Sequence, residues 1–231
     1  MSNFEEAKEA IVQAARSLVQ KGYLMATGGN ISLRIPGRAG FAVTPSNYDY
    51  MKMSPDDVCV LDFDMKPIEG VLPPSVEASL HGAIYLARPD VQAIIHTHQV
   101  YASALALIDA PIPRLFDEQL RYLGRRVRLI PYAPSGTGLL RAKVARHVRG
   151  HDNAYLMRNH GALVFGGDME RAMHNVEILE KCSLAYLLAL CTGRRVSKVP
   201  LVVREIAFAK LRKDQKKVEA GEIEGAEKQG G

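Results

Sequence analysis

Two links in this chain are too short for the strands they join to run parallel. ISLRI (31–35) and FAVT (41–44) are separated by PGRAG, and AYLM (154–157) and ALVF (162–165) by RNHG. Branched and aromatic residues favour pleated, half-buried backbone, and proline and glycine punctuate it. A parallel pair needs a crossover of about a dozen residues or more, so these pairs are predicted to be antiparallel. VCVLDF (58–63), residues 91–95 and RVRLI (126–130) read as further strands. Helical patterns fall between them. Ser2 and Glu5 form a capping box ahead of Ala7, Ile11, Ala15 and Leu18, which recur at helical spacing until Gly22. Helices are also predicted over 75–86, 100–108 and 139–148, then from Asp168, as N-cap, to Gly193, with a polar helix after Val202. Strands and helices are thus interspersed with short links. The expectation is an α/β chain, a three-layer alpha/beta/alpha sandwich with a mainly antiparallel central sheet.

No repeat or low-complexity linker interrupts the pattern, so one domain is expected over residues 1–210, followed by a polar, loose tail over 211–231 that ends in AGEIEGAEKQGG. A chain of 231 residues with 47% hydrophobic and 24% charged residues suits one large domain. The formal charge of +5 is dispersed, apart from Arg121 to Arg128 and the tail, which gives no ground for a nucleic-acid partner. Three cysteines, Cys59, Cys182 and Cys191, are an odd number without CxxC spacing, which argues against a disulfide framework and for a reducing compartment. The start, MSNFEEAKEA, is acidic where a signal peptide is basic, and no apolar run is long enough to span a bilayer. A cytoplasmic protein without membrane partners is expected.

Chemistry enters at AIIHTHQ (93–99), where a run of aliphatics stops at two histidines. Residues two apart share one face of a strand, so His96 and His98 point the same way, about 7 Å apart at their alpha carbons. On spacing alone two readings stand: a pair of metal ligands, or two hydrogen-bonded histidines at a strand end. His160, in AYLMRNHGALVFGG, sits at a loop position that can aim a third imidazole into a cleft. Glu77, in LPPSVEASLH, falls in the first turn of a predicted helix, where a carboxylate is favoured by the helix dipole. Three imidazoles and a carboxylate make a tetrahedral inventory for Zn²⁺, and a carboxylate able to leave opens a position for substrate. Taken singly, Glu77 as a helix cap and His160 as a hydrogen-bonded turn residue are the favoured readings. His81, four residues after Glu77, is read either as its partner or as a buried core histidine. His174 is read as packing or surface, and His147 and His151 as exposed.

Five segments in order, TGGNIS (27–32), TPSNYDY (44–50), PSVEASLH (74–81), HTH (96–98) and NHGALVFG (159–166), resemble the class II aldolase/adducin family over roughly residues 5–195. The resemblance implies an alpha/beta/alpha sandwich around a nine-stranded, mainly antiparallel sheet, and a homotetramer with sites at subunit interfaces. It implies His96, His98, His160 and Glu77 as zinc ligands, another divalent transition metal being possible, with Glu77 leaving the ion to move a proton. The activity implied is that of an aldehyde-lyase acting on a small carbonyl substrate, a hydroxy-ketone, sugar phosphate or hydroxy keto-acid, through a metal-bound enediolate. Family alternatives are decarboxylation of a 3-oxo acid, epimerisation of a pentulose phosphate, or a non-catalytic adducin-like domain.

The same resemblance places Asn30, Ser46, Asn47 and Ser75 around the substrate's anionic group. The chain departs from the family pattern at two of these loops. Asn47 stands where glycine is usual, and Val76 replaces a second serine, which removes a hydroxyl donor. Either a smaller anion is bound, or Asn47 adopts the same left-handed turn and another donor replaces the serine. In IPRLFDEQLRYLG, Asp117 falls near the position of the family's catalytic acid, with Arg121, Arg125 and Arg126 nearby.

Overall fold

The computed structural model describes residues 3–24 and 28–222; Ser2 of the expected capping box, Thr27 of TGGNIS and residues 223–231 of the tail lie outside them. The elements are α1 (Asn3–Gln20), β1 (Asn30–Arg34), β2 (Gly40–Val43), β3 (Cys59–Asp62), β4 (Pro67–Glu69), α2 (Ala78–Ala87), β5 (Ala93–Thr97), α3 (Val100–Leu107), α4 (Asp117–Tyr122), β6 (Arg128–Ile130), α5 (Gly138–His147), β7 (Ala154–Met157), β8 (Gly161–Gly166), α6 (Met169–Cys191) and α7 (Leu201–Glu219). The strands form one sheet in the order β4-β3-β2-β1-β5-β8-β7-β6. Every neighbouring pair is antiparallel except β6–β7, the pair joined through a helix, α5.

Strand parity divides the sheet's side chains between two cores. Ala93, Ile95, Ala162, Val164, Ala154 and Leu156 face α1, α3 and α6, whereas Ile94, Leu163, Phe165, Tyr155 and Met157 face α2 and α5. Burial on both faces makes AIIHT, AYLM and ALVF continuous apolar runs rather than alternating ones. Each large aliphatic or aromatic side chain so buried contributes about 1.5–3 kcal/mol of transfer free energy. The three-layer sandwich with a mainly antiparallel sheet is as expected.

Several details differ. The sheet has eight strands among the described residues, not nine. Pairing beyond β2 shrinks to a single bridge between Pro45 and Pro74, two residues without the N–H that a ladder needs. β4 and α4, of three and six residues, are too short to carry a legible period. Helix α7 runs through Glu219 with Leu211 and Gln215 buried, so residues 211–219 are helix rather than tail. Its anchorage consumes two of the arginines near Asp117: Arg121 pairs with Asp214, and Arg125 pairs with Glu205 at 2.7 Å while lying 3.8 Å over the Phe208 ring. Asp168 caps α6 as expected, accepting from the Arg171 amide at 2.6 Å. No helix among the described residues is long and apolar enough to cross a membrane.

Candidate metal centre and substrate cleft

The polar ends of several elements meet at one end of the sheet. On β5, His96 continues the face of Ile94, and the β1–β5 register sets Asn30 directly opposite it. His98 follows just past the strand, its amide donating to Tyr23 O at 3.3 Å. His160 comes from the β7–β8 hairpin, whose three-residue loop has Asn159 in the left-handed region (φ 53) and closes with the His160 amide donating to Met157 O at 3.1 Å. Asparagine tolerates that conformation better than most residues, and the turn throws His160 back over the end of the sheet. Glu77 is the N-cap of α2 rather than a first-turn residue, and its side chain makes no capping bond. The carboxylate is therefore available to the cleft.

The three imidazoles converge. His96 Nε2 lies 3.1 Å from His98 Nε2 and 3.2 Å from His160 Nε2. Glu77 completes the set, with Oε2 3.4 Å from His96 Nε2 and Oε1 3.4 Å from His160 Nε2. His96 Nδ1 donates to the Ala162 carbonyl at 2.9 Å, which leaves the Nε2 lone pair facing the cluster. Ions with metal–nitrogen distances of about 2.0–2.1 Å in tetrahedral geometry separate their ligand atoms by roughly 3.3 Å. The donor set present fits such an ion in type, number and spacing.

The protonation states agree. Burial opposes ionisation of Glu77, but the His96 imidazole, the Asn30 amide, His160 and Ser135 outweigh it and hold the carboxyl down to about 2. Burial pushes His98 and His160 down to about 4, with the neighbouring imidazoles adding to the effect and Glu77 opposing it. At neutral pH Glu77 is a carboxylate and His98 and His160 keep free imidazole lone pairs, the form a cation takes.

The cleft over the cluster has a volume of about 170 Å³. Asn30, Ser46, Asn47 and Ser75 all line it, beside Gly28, Gly29, Tyr50, Val76 and Ser135. Asn30 is buried and donates to Glu77 Oε2 at 3.0 Å, while its Oδ1 has no partner. Asn47 adopts φ 52, the left-handed turn that glycine usually supplies. Val76 stands in the cleft wall with its side chain largely exposed, and Glu77 is the one charged residue of the lining.

Three of the other residues considered are placed elsewhere. Asp117 opens α4, exposed, and does not line the cleft of its own chain. His81 is fully buried beneath the site but pairs through Nδ1 with Ser32 Oγ at 2.7 Å rather than with Glu77, and burial pushes it down to about 3. His151 is half-buried, not exposed, and clusters with Asp90 and Glu219. That second group of potential ligands is spanned by the chain's own cations, since Arg88 grips Asp90 and Arg212 lies 2.8 Å from His151 Nδ1. A larger cavity of about 850 Å³ between α4, α6 and α7 shares no lining residue with the cleft.

Residues 9–187 match the Class II Aldolase and Adducin N-terminal domain family, and the chain belongs to that family. It is similar to the 5-deoxy-D-ribulose 1-phosphate aldolase of Bacillus thuringiensis serovar kurstaki, 31% identical over 182 residues that cover 79% of this chain and 84% of the relative. A 3-oxo-tetronate 4-phosphate decarboxylase of Haemophilus influenzae is 33% identical over 179 residues, covering 75% of this chain and 83% of that one. Among solved structures, an L-fuculose 1-phosphate aldolase superposes with a TM-score of 0.84 at 30% identity, over 90% of this chain and 96% of its own.

Proposed function

We propose that this chain is a zinc-dependent aldehyde-lyase that cleaves a small phosphorylated hydroxy-ketone into an aldehyde and a three-carbon hydroxy-ketone phosphate. The carrying observation is the convergence of His96, His98 and His160 Nε2 on one point beside an ionised Glu77. His96, His98 and His160 would hold a divalent ion, which would supply Lewis acidity toward the negative charge that develops as the carbon–carbon bond breaks.

The chain's own residues do the rest. In the synthetic direction the Glu77 carboxylate removes the proton from carbon, and in cleavage it takes a proton from solvent and passes it to the carbon left as an enediolate; general acid–base catalysis of this kind is typically worth about 10²- to 10⁴-fold. Asn30, Ser46 and Ser75, with the backbone around the left-handed Asn47, receive the substrate's phosphate as neutral donors, since no lysine or arginine lines the cleft among the described residues. The Asp117 side chain is exposed with no hydrogen bond or ion pair among the described residues, and we assign it to the cleft of a neighbouring copy in a homotetramer, where in cleavage it takes the proton of the hydroxyl that becomes the aldehyde oxygen and in synthesis gives it back.

A second reading, decarboxylation of a 3-oxo acid, is favoured by Val76, which leaves the anion pocket one hydroxyl poorer. One experiment separates the two. Metal content is measured by elemental analysis while ketose 1-phosphates and 3-oxo acids are screened for aldehyde and for bicarbonate release. Aldehyde from a metal-loaded chain supports the lyase, bicarbonate without aldehyde supports the decarboxylase, and a chain that takes up no metal defeats both.

A further inference from the structure

Each oxygen of the Glu77 carboxylate is held by its own donor, and one of the two donors comes from a loop outside the motifs that mark the site. Asn30 Nδ2 donates to Oε2 at 3.0 Å, and Ser135 Oγ donates to Oε1 at 2.8 Å. Each of those oxygens also faces one imidazole, Oε2 facing His96 and Oε1 facing His160, at 3.4 Å in both cases. The carboxylate plane is thus fixed from both sides, with its edge presented to the point where the ring nitrogens meet. Asn30 is part of the rigid sheet. Ser135 is not: it is exposed, on the β6–α5 loop, and lines the mouth of the cleft.

The loop is built to deliver that hydroxyl. Gly136, at φ +70, turns the chain directly after it, and the Thr137 side chain caps α5 by accepting from the Leu140 amide at 3.3 Å while donating to Pro134 O at 2.7 Å. A side chain at Gly136 would stand 3.7 Å from Val76, so the loop packs against the residue that takes the place of the missing serine in the anion pocket. The hydroxyl absent at 76 is matched by one at 135, aimed at the base and not at the substrate's anion.

The geometry points to Ser135 as a positioning residue that fixes the Glu77 carboxylate for metal capture and proton transfer. This rests on the proposed metal site. A hydrogen bond to a buried carboxylate is of the charge-assisted kind, and removing an outer partner of a metal ligand typically weakens metal binding or activity by about 10- to 100-fold.

The test is the affinity of the full chain for zinc alone, read by competition with a chromophoric chelator, in the parent, Ser135→Ala and Ser135→Thr, with the crystal structures of the metal-free variants beside it. Because the side chain is exposed, the alanine variant is expected to melt with the parent. The expected result is zinc binding weaker by about 10-fold or more in Ser135→Ala, with the Glu77 carboxylate displaced, and both restored to within about threefold by threonine, which keeps the hydroxyl. Alanine binding zinc as the parent does, with Glu77 unmoved, overturns the clamp and leaves the metal site standing. Weakened binding that threonine does not restore overturns it also, since loop packing would then be the cause. A parent chain that binds no zinc overturns the metal site and the clamp together.

Discussion

His96 stands opposite Leu163 in the β5–β8 ladder, and its imidazole Nδ1 donates to the carbonyl of the preceding residue, Ala162, at 2.9 Å. A backbone acceptor cannot be protonated or rotated away, so the tautomer of His96 is set by the sheet, and its Nε2 is left as an acceptor in a cluster of acceptors. Replacing His96 by alanine removes the central ligand of the three, the one within reach of both other imidazoles. The expected outcome in His96→Ala is metal content falling from about one ion per chain to near zero, with aldehyde release lost in parallel. Elemental analysis after dialysis checks it. Full metal occupancy in that variant would mean that the ion lies elsewhere.

Acid should empty and then destabilise the site. His98 and His160 are held near 4 in the fold, below the ordinary imidazole value of 6.5, and Glu77 near 2, below the ordinary 4.5. Between about pH 4 and 6.5 the unfolded chain binds protons at these histidines that the folded chain does not, so stability falls as pH falls through that window. Glu77 acts with the same sign at lower pH: its stabilisation is present above 4.5 and lost as pH drops towards 2. Metal is expected to be retained at pH 6 and released as the pH approaches 4, where the ligands protonate. Melting temperatures of metal-free protein should decline from pH 7 to 4. The decline should be smaller in a His98→Gln, His160→Gln double variant, and equal slopes in the two proteins would assign it to other groups.

Much of this architecture is written locally. The antiparallel pairing follows from links too short for a crossover, and the shared face of His96 and His98 follows from strand parity. What lacked a local signal is what is made by contact between distant segments. Ser135 is 58 residues from Glu77 and sits in a loop, APSGTG, whose composition announces a turn and a helix cap but no partner. Arg88, in the sequence RPD, looks like a surface loop residue and is fully buried. The alternative of Glu77 as a helix cap could be decided only by seeing where its carboxylate points, because the N-cap position fits either use.

The glycine of NHGALVFG is required by space. A side chain at Gly161 would meet the Thr97 carbonyl at 2.3 Å and His98 Cδ2 at 2.7 Å, one rigid and the other part of the metal cluster. Gly161→Ala is expected to cost about 1–3 kcal/mol of stability through overpacking. It should also weaken zinc binding by displacing His98, by at least tenfold. Denaturant melts and chelator competition measure the two effects separately. Loss of stability without loss of affinity would show that the end of β5 yields without moving the ring.

Arg88 is a structural counterpart to the site. Its guanidinium grips Asp90 through Nε at 2.7 Å and a terminal nitrogen at 2.5 Å, and donates to the carbonyls of Val148 and Asp152 and to Asn153 Oδ1. Arg88→Met leaves a buried carboxylate and the Val148 and Asp152 carbonyls unmatched, while Asn153 Oδ1 keeps Gln215, and is expected to cost about 3–5 kcal/mol. For a chain of this size the melting temperature should fall by on the order of 10 °C. Adding Asp90→Leu removes the stranded charge and should recover part of the loss. A double variant no better than the single would place the cost in the carbonyl contacts rather than in the ion pair.

The assignment of Asp117 to a neighbouring copy makes a prediction that no single variant can test. Asp117→Asn should lower turnover by about 10²-fold or more while leaving metal content unchanged, because the residue touches none of the ligands of its own chain. Glu77→Gln should be inactive for a separate reason. If each site takes Glu77 from one copy and Asp117 from the next, a mixed assembly of the two inactive variants contains intact sites wherever an Asp117→Asn copy supplies Glu77 and a Glu77→Gln copy supplies Asp117. Random mixing around a ring makes about a quarter of the sites of this kind. Co-expression with two affinity tags isolates the mixed assemblies, and aldehyde release near a quarter of the parent rate is the expected outcome. Mixed assemblies as inactive as either variant alone would return Asp117 to the role of a solvated surface charge and leave the acid to be sought among the residues that line the cleft.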